Sequence, residues 1–554
     1  MTPEVGTTKT RVVPEIVAQI LAGRGMAPED MVAFLYPDYQ RDTHDPMLIT
    51  DMVAAVERIV LAAERSEQTV VYGDYDIDGI TASAVLLEAF AAIGLPARSY
   101  IPDRFEEGYG INQAALERLK AEGVQLVVSV DCGITSVKEA QWAREHGLDL
   151  VITDHHSVPE VIPEAVAVVN PKRPGDQYPF KELAGVGVAF KLVQALQQRL
   201  GKPAVGQEKW LLDLVALGTV CDVVPLVGEN RVLAAFGLKV LRKTRRLGLR
   251  SLAAVGGAEV SKITAHHLGF VLGPRMNAAG RLEHAARSLE LMQTTDSARA
   301  LEIAHELDSM NRRRRAEQEM IFKESDALAE QYADQPVLVL ADPGWSHGVV
   351  GIVASKLVEK WHKPVLVGQV LGESTKGSAR SVGGFNMVEA LRANADLLSK
   401  FGGHFYAAGF TLPSERLDDF RAGMCRYFED SRAGDYKAPA VLADVQLQGL
   451  DGVSWSLLET MDLLEPFGSS NPRPLLELAG LSVGECSRVG ADGKHLRIKF
   501  SDNKGARLAG IGFGLAERFP GLRAGQLLTV RGSLSKNEYL GNVSLQVQIN
   551  DLIV

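Results

Sequence analysis

Three aspartates, Asp74, Asp76 and Asp78, follow a short apolar run and are the residues of this sequence best suited to metal chemistry. The run, residues 69–72, is β-branched and aromatic, which is typical of a buried strand. An apolar helix is predicted directly after the aspartates, over residues 80–92. Three carboxylates this close in sequence repel one another unless a cation neutralises them. The spacing therefore favours a divalent metal site at the carboxyl end of a strand over a solvated, Asp-rich turn.

Two later strands are predicted to end in residues of the same kind. The strands at residues 126–130 and 150–153 are followed by potential ligands, Asp131 after the first and Asp154, His155 and His156 after the second. Helical segments between the strands predict parallel βαβ units, so the ligands would meet at one edge of a sheet. A further acid, Asp222, interrupts an apolar run and is either an exposed cap or a buried acid that needs a partner or a metal.

The candidate metal ligands offer carboxylate oxygen and imidazole nitrogen but no thiolate: Asp76, Asp78, Asp131, His155 and Asp222. This mixture favours magnesium or manganese over structural zinc, and manganese suits the histidine better. Asp131 is central in the set, and a carboxylate that bridges two ions would support a two-metal site. Such a site provides a hydroxide nucleophile and stabilises the leaving oxygen in a phosphoryl displacement, so no serine or cysteine nucleophile is required.

Four arginines in glycine-flanked segments are candidates for binding a phosphorylated substrate: Arg104, Arg275, Arg281 and Arg380. A guanidinium with neighbouring hydroxyl or backbone donors suits a phosphate. Each arginine alone is better explained by a surface ion pair, but together they suggest a phosphorylated polymer end held opposite the metals. The glycines around His404 would let a ligand approach the backbone, or would pack tightly as a loop.

The length of the chain, 554 residues, predicts several domains. We expect an accessory helical segment at residues 1–60, the metal-bearing α/β domain at 61–295 and a smaller α/β domain at 333–435. Residues 296–332 contain no proline or glycine and predict a connecting helix of about 55 Å. The arginine run at residues 312–315 indicates either a solvated segment or one that faces DNA.

A C-terminal barrel is predicted at residues 436–554, where the composition shifts, around residues 436–439, to short alternating strands. Residues 488–536 hold ten Lys or Arg against three Asp or Glu, which suits single-stranded nucleic acid although the whole chain has a net charge of −10. No apolar run is long enough to span a bilayer, and no secretory signal is visible. Four scattered cysteines indicate a reduced, cytoplasmic setting.

Six motifs carry a resemblance to a known family: GDYDIDG at 73–79, VDCG at 130–133, DHH at 154–156, CDVVPL at 221–226, GPRMNAAGR at 273–281 and GGHFYAAG at 402–409. The set resembles the DHH phosphoesterase superfamily, and within it the bacterial exonucleases specific for single-stranded DNA. The resemblance covers nearly the full chain. It implies an α/β fold, with a parallel-sheet DHH domain, a smaller DHH-associated domain joined by a long helix, and a C-terminal OB-like barrel.

The resemblance also implies roles for single residues. The metal ligands would be Asp76, Asp78, Asp131, His155 and Asp222. Asp74 and His156 would orient the ligands or take part in catalysis, and Asp154 would support them. The substrate side would comprise Arg104, Arg275, Arg281, Ser378, Arg380 and His404, with Ser378, Arg380, Arg104 and Arg275 at a 5′-phosphate.

The implied activity is hydrolysis of single-stranded DNA to mononucleotides in the 5′-to-3′ direction, with two magnesium or manganese ions, in recombination and repair. A monomer is implied, with a single-strand-binding protein and a RecQ-type helicase as candidate partners. One alternative is a small-substrate phosphohydrolase, such as a pyrophosphatase or a cyclic-dinucleotide phosphodiesterase, whose substrate would not reach the basic barrel. The other is a non-catalytic DNA-binding scaffold, against which the intact acidic set argues.

Overall fold

The structure, a computed structural model, describes residues 12–103, 107–431, 442–490, 492–539 and 541–554. The phosphate-binding candidate Arg104 and the predicted start of the barrel at residues 436–439 lie outside these ranges. The first helices of the described chain are α1 (Glu15–Gly23), α2 (Pro28–Leu35) and α3 (Met52–Arg65).

A five-stranded parallel sheet follows, with the strand order β2-β1-β3-β4-β5. Its elements in chain order are β1 (Thr69–Gly73), α4 (Ile77–Ile93), β2 (Ala97–Tyr100), α5 (Gln113–Ala121), β3 (Leu126–Val130), α6 (Val137–Glu145), β4 (Asp149–Thr153) and β5 (Ala167–Val169). Every residue of β1 and β3 is buried, as expected for parallel strands covered on both faces. The sequence predicts the three central strands. It misses the edge strands β2 and β5, because both are short and β2 is partly exposed and polar.

Seven helices and one π-helical turn complete this first domain. They are α7 (Gly185–Leu200), α8 (Leu212–Cys221), α9 (Gly228–Leu241), α10 (Leu247–Val255), α11 (Ala265–His267), the π-helical turn Leu268–Leu272, α12 (Gly273–Leu282) and α13 (Ala286–Gln293). Their apolar side chains form one continuous core with α3, α4 and the sheet residues Val71, Val128 and Val151.

The connecting helix α14 (Ser297–Glu330) is unbroken, as predicted, and spans about 51 Å. Its arginine run is not uniformly solvated: Arg314 is buried and donates to Asn311 and Gln318, 2.9 and 3.0 Å away. Both sequence-based alternatives are therefore wrong for Arg314, because that face of the helix packs inside the molecule. None of the described helices, α14 included, is both long enough and apolar enough to cross a membrane.

The second domain has a mixed sheet in the order β6-β7-β8-β10-β9. Its elements are β6 (Leu338–Asp342), α15 (His347–Trp361), β7 (Val365–Leu371), β8 (Ser374–Arg380), α16 (Met387–Ala393), β9 (Lys400–Gly403), β10 (Ala407–Pro413) and α17 (Leu417–Asp430). Strands β6 and β7 are parallel and the other pairs are antiparallel. Asn386 caps α16 by accepting from the backbone N–H of Glu389.

The C-terminal domain is a closed barrel, which confirms the predicted architecture. Its elements are β11 (Val445–Gln448), α18 (Trp455–Asp462), β12 (Leu476–Val489), β13 (His495–Ser501), β14 (Arg507–Gly512), β15 (Leu527–Tyr539) and β16 (Asn542–Ile553). Because β12 pairs with both β13 and β15, five strands close on themselves, and β11 adds alongside β12. Six of the ten basic residues between 488 and 536 pair with acids: Lys494, Lys499, Lys504, Arg518, Arg531 and Lys536. The barrel surface is thus less basic than the sequence count suggests.

The N-terminal helices divide between two cores instead of forming one accessory segment. Val17, Ile20 and Leu21 of α1 and Phe34 of α2 join the hydrophobic core of the barrel, whereas α3 joins that of the first sheet. An apolar helix face packs against whichever apolar surface lies nearest in the folded chain. For α1 and α2 this surface is the barrel, which lies more than 400 positions later in the sequence. The unit predicted at residues 1–60 therefore needs correction.

A buried arginine, Arg231, hydrogen-bonds to both α2 and the C-terminal domain. Arg231 of α9, 2% exposed, donates to the carbonyl oxygens of Phe34 (2.7 Å), Leu464 (2.9 Å) and Glu465 (2.8 Å). Its guanidinium also lies 3.8 Å from the ring centre of Phe34. One side chain thus links the first domain, α2 and the segment between α18 and β12 of the C-terminal domain.

We expect Arg231→Met to lower the free energy of unfolding by about 3–5 kcal/mol, because it leaves several buried carbonyls without donors. Thermal denaturation followed by circular dichroism measures the loss. The matched control is Arg65→Met, since Arg65 is 64% exposed and its loss should change stability by less than about 0.5 kcal/mol. Equal effects of the two substitutions would contradict the assigned role.

Candidate metal centre

Strand register brings the candidate ligands together. Gly73 of β1 pairs with Val130 of β3, and Val130 pairs with Thr153 of β4. The next residues, Asp74, Asp131 and Asp154, therefore leave three adjacent strands side by side at the carboxyl edge of the sheet. The prediction that these strands end together is confirmed.

The loop after β1 turns Asp78 into the interior. Asp76 caps α4 by accepting from the backbone N–H groups of Asp78 (2.9 Å) and Gly79 (3.2 Å). Asp78 is 1% exposed and accepts from the backbone N–H groups of Gly185 (2.6 Å) and Val186 (2.8 Å). These two residues begin α7, and a helix N-terminus stabilises a carboxylate. The contact between Asp78 and the start of α7 was not predicted from the sequence. The glycine at the start of this apolar helix, Gly185, was the sequence feature that could have indicated it.

His155 is the centre of the cluster. Its Nε2 atom lies 3.1 Å from Asp131 Oδ1, 3.7 Å from Asp222 Oδ2 and 3.8 Å from Asp78 Oδ2. Three overlapping sets each place their ligand atoms within 4.8 Å of one another: Asp74, Asp76 and Asp131; Asp78, His155 and Asp222; and Asp131, His155 and His156. Because Asp131 belongs to two of these sets, its position fits the predicted bridging role.

The electrostatics of the cluster fit a divalent cation. Burial and then the neighbouring acids raise the pKa of Asp78 to about 7, that of Asp222 to about 9 and that of Asp131 well above its usual range. Asp131 Oδ1 and His155 Nε2 are buried without a hydrogen-bond partner. Unpartnered ligand atoms of this kind, in a site whose negative charge is uncompensated, suit magnesium or manganese.

Asp222 enters the cluster from a helix end instead of a strand end. It caps the C-terminus of α8, where its N–H donates to the Gly218 carbonyl over 2.9 Å. The next residue, Val223, has φ +63°, a left-handed conformation that is strained for a β-branched side chain. Such strain is typical of functional sites. Asp222 is thus a helix cap whose side chain is partly buried beside the other acids, and its role as a metal ligand stays a prediction.

His156 lies beside the cluster and is oriented by Asp154. Asp154 Oδ1 accepts from the His156 backbone N–H (3.1 Å) and from His156 Nδ1 (2.7 Å). Burial alone would lower the pKa of His156, but the Asp154 hydrogen bond raises it overall. The Tyr109 hydroxyl lies 3.2 Å from His156 Nδ1. Tyr109 is not among the site residues predicted from the sequence.

The GPRMNAAGR motif supports the aspartate loop. The Asn277 side chain accepts from the backbone N–H of Ile77 over 3.1 Å, and a methyl group on Gly280 would lie 2.6 Å from the Tyr75 carbonyl. Arg275, predicted to bind phosphate, instead donates to Asp308 of α14 (3.0 Å) and to the Val271 carbonyl (2.7 Å). These contacts give Arg275 a structural role, because its guanidinium ties α12 to the connecting helix.

Three of the remaining substrate candidates, Arg281, Ser378 and Arg380, lie where the first two domains meet. Arg281 donates to the Gly348 carbonyl of α15 over 3.2 Å. One turn further along α15, a methyl group on Gly351 would lie 3.2 Å from both Ser378 Oγ and Arg380 Nη2. Thus the aspartate loop, the end of α12, the start of α15 and the end of β8 are contiguous. His404 is exposed between β9 and β10.

Three family models match separate parts of the chain. The N-terminal domain of the DHH family matches residues 68–219, the DHHA1 domain residues 334–430 and the RecJ OB domain residues 443–551. The first region holds the parallel sheet and the clustered residues except Asp222. The other two hold the mixed sheet and the closed barrel. The fold and the site define a DHH-type phosphoesterase.

Relatives match nearly the whole chain. It is 38% identical over 545 residues to the single-stranded-DNA-specific exonuclease RecJ of Bacillus subtilis, covering 97% of this chain and 68% of the relative. It is 35% identical to the Escherichia coli K12 exonuclease of the same name, covering 90% and 89%. The chain belongs to the RecJ family of single-stranded-DNA-specific exonucleases. This placement favours the exonuclease over the small-substrate and scaffold alternatives.

Two solved structures of Thermus thermophilus RecJ share the fold. The complex with Mn²⁺ has a TM-score of 0.79 at 32% identity, covering 97% of this chain and 77% of that one. The complex with Mg²⁺ has a TM-score of 0.74 at 29% identity, covering 98% and 75%. Both metals favoured by the donor set of this chain therefore occur in the family.

Proposed function

We propose that the protein removes mononucleotides from single-stranded DNA in the 5′-to-3′ direction with two Mn²⁺ or Mg²⁺ ions. The convergence of Asp131 and His155 with buried carboxylates at one sheet edge, in a chain of this family, carries the proposal. The proposed ligands are Asp76, Asp78, Asp131, His155 and Asp222. Asp74 lies in the same cluster and is proposed to orient them or to share in binding.

The protein groups have separate tasks in this proposal. Bound divalent ions would ease deprotonation of the attacking water and neutralise charge on the cleaved phosphate. The α7 N-terminus holds Asp78 in place, and Asp154 fixes the orientation of His156 toward the cluster. Burial of the carboxylates keeps competing water away from them.

The start of α15 is proposed to receive the 5′-phosphate. Helix N-termini attract phosphates, and here Ser378 and Arg380 lie against the first turns of the helix. Arg281 joins this helix to the motif that supports the aspartate loop, so the phosphate end and the metals would share one cleft. The proposed phosphate site consists of Ser378 and Arg380, with Arg281 as its link to the cluster.

Arg380→Ala is expected to lower the rate preference for a 5′-phosphorylated over a 5′-hydroxyl strand about tenfold, because it removes a charge-assisted contact. Single-turnover rates on the two strands measure the preference. Arg392→Ala is the control, since Arg392 is 62% exposed on α16 and pairs with Glu389. If Arg380→Ala kept the same preference, the 5′-phosphate would be bound by other residues.

End-labelled strands test the proposed polarity. A strand labelled at its 3′ end should give a ladder of shortening fragments, whereas one labelled at its 5′ end should release a labelled mononucleotide at once. The reverse pattern would contradict 5′-to-3′ action. Survival of the strand alongside hydrolysis of dinucleotides would favour the small-substrate alternative.

Membership of the family supports a proposal about the cellular setting. We propose that the enzyme acts as a cytoplasmic monomer in recombination and repair, on strands opened by a RecQ-type helicase and in the presence of a single-strand-binding protein.

A further inference from the structure

One candidate ligand, Asp222, is held in place less directly than the others. Asp131 and His155 follow the ends of strands β3 and β4, and Asp78 accepts from the start of α7. Asp222 instead lies at the end of α8, and its side chain is 20% exposed, whereas those of the other three are 8% exposed or less. The chain then continues through Val223, which has a left-handed conformation. A contact beyond this turn is needed to fix Asp222 relative to the other ligands.

A buried asparagine joins the loop after α8 to the segment that leads into α7. Asn230, in the first turn of α9, is fully buried, and its amide nitrogen donates to the carbonyl oxygens of Pro225 (3.1 Å) and Glu182 (2.5 Å). Pro225 lies three residues after Asp222, and Glu182 lies three residues before Gly185. One amide group therefore connects the loop that carries Asp222 to the start of α7.

The start of α7 contacts two other candidate ligands. Gly185 donates its N–H to Asp78 over 2.6 Å, and a methyl group on Gly185 would lie 2.5 Å from Asp131 Oδ1. Any movement of the Asp222 loop away from α7 would therefore change the position of Asp222 relative to both carboxylates. Asn230 bonds to both segments and so opposes that movement.

The first turn of α9 is fixed to α7 by a second buried contact. Glu229 and Lys191 form an ion pair in which both side chains are fully buried, and the Tyr178 hydroxyl also donates to Glu229. Lys191 lies in α7, six residues after Gly185. Because its neighbour Glu229 is held in this way, Asn230 has a defined position against α7.

The hydrogen bonding of Asn230 is not what stability alone would favour. Only the N–H groups of its amide can face two carbonyls, so the amide oxygen points away from them. That oxygen, Oδ1, is buried without a hydrogen-bond partner among the described residues. A buried polar atom without a partner lowers stability and calls for an explanation. A role in placing the two bonded segments supplies that explanation.

We propose that Asn230 is a positioning residue that fixes the distance of Asp222 from Asp78 and Asp131. The inference deepens the proposed function and rests on its two metal ions. Without the amide, the loop after α8 is free to move away from α7, and the ligand set that contains Asp222 binds its ion less tightly. The ligand set that contains Asp74 does not include Asp222 and keeps its affinity.

Mn²⁺ binding to the metal-free protein tests the role of Asn230 without any reaction. Titration calorimetry of the unaltered protein should show two bound ions. In Asn230→Ala, one of the two affinities should fall about 10–100-fold, as when a residue that orients a metal ligand is lost, and the other should stay within about twofold. Turnover on a single strand should fall at low Mn²⁺ and recover to within about threefold at saturating Mn²⁺, with an unchanged KM for DNA.

Asn394→Ala is the matched control, because Asn394 is also a buried asparagine whose amide donates to a backbone carbonyl, that of Ala390, over 2.8 Å. It lies at the end of α16 in the second domain. This substitution should lower the melting temperature without changing either Mn²⁺ affinity by more than about twofold. If Asn230→Ala does not fold, Asn230→Ser, which keeps one hydroxyl donor, is measured in the same way.

Unchanged Mn²⁺ affinities in a folded Asn230 variant would overturn the proposal, as would an equal loss of affinity for both ions together with a lowered melting temperature. Binding of a single ion by the unaltered protein would overturn it as well. If the unaltered protein binds two ions but does not cleave the strand, the proposed nuclease function fails, and the calorimetric comparison still decides the role of Asn230.

Discussion

Replacing Asp131 by asparagine is expected to reduce turnover on single-stranded DNA by roughly 10³-fold or more, because removing a shared ligand forfeits several kcal/mol of metal-supplied stabilisation. Asp131 Oδ1 lies 3.1 Å from His155 Nε2, and Asp131 belongs to two of the three candidate metal sets. Asparagine keeps the size of the side chain and removes its charge. Single-turnover hydrolysis with saturating Mn²⁺ measures the loss.

The fold should survive this substitution. Asp131 has φ +60°, a left-handed conformation that asparagine adopts more readily than alanine does. Removing one of several repelling buried carboxylates should leave the metal-free melting temperature unchanged or raise it. Near-normal turnover in Asp131→Asn, with the fold intact, would show that the shared-ligand assignment is wrong.

Gly185→Ala is expected to cut turnover about 100-fold, although glycine-to-alanine changes in helices usually raise stability. The added methyl group would lie 2.5 Å from Asp131 Oδ1, closer than van der Waals contact allows. Gly185 also donates its N–H to Asp78, so any shift of α7 to relieve the clash moves a second candidate ligand. The prediction is checked by kcat on a single strand together with Mn²⁺ affinity by calorimetry.

Gly187→Ala provides a control two residues away on the same helix. Its methyl group would meet only the Leu183 side chain, at 3.4 Å, which is ordinary contact. Activity within about threefold of the unaltered protein is expected for this variant. Equal losses of activity in the two variants would show that alanine perturbs α7 in general and does not act through Asp131. An active Gly185→Ala variant would show that α7 does not set the position of Asp131.

Much of the candidate metal centre can be predicted from the sequence because each candidate ligand lies next to a recognisable local pattern. Asp74, Asp131 and His155 each follow a strand that apolar runs and glycines delimit, and parallel connectivity brings those strand ends to one edge. The long helix α14 and the barrel are likewise visible as unbroken helical composition and as alternating strands.

Contacts between distant parts of the chain are what the sequence does not reveal. The N–H groups of Gly185 and Val186 reach Asp78 across more than 100 residues, and backbone donors leave no trace in side-chain patterns. Arg275 and Arg314 look like phosphate or solvent contacts in the sequence, yet folding gives them partners inside the molecule. The packing of α1 and α2 on the barrel depends in the same way on tertiary proximity.

Metal-dependent digestion of a single strand tests the central claim most directly. The protein is stripped with a chelator and mixed with a strand of about 40 nucleotides, alone or annealed to its complement, before and after Mn²⁺ is added. The account predicts mononucleotides from the single strand only with Mn²⁺, none from the blunt duplex, and release that is slower by roughly 10³-fold or more with Asp131→Asn. Digestion that persists without divalent metal, or near-normal digestion by the Asp131→Asn variant, would contradict it.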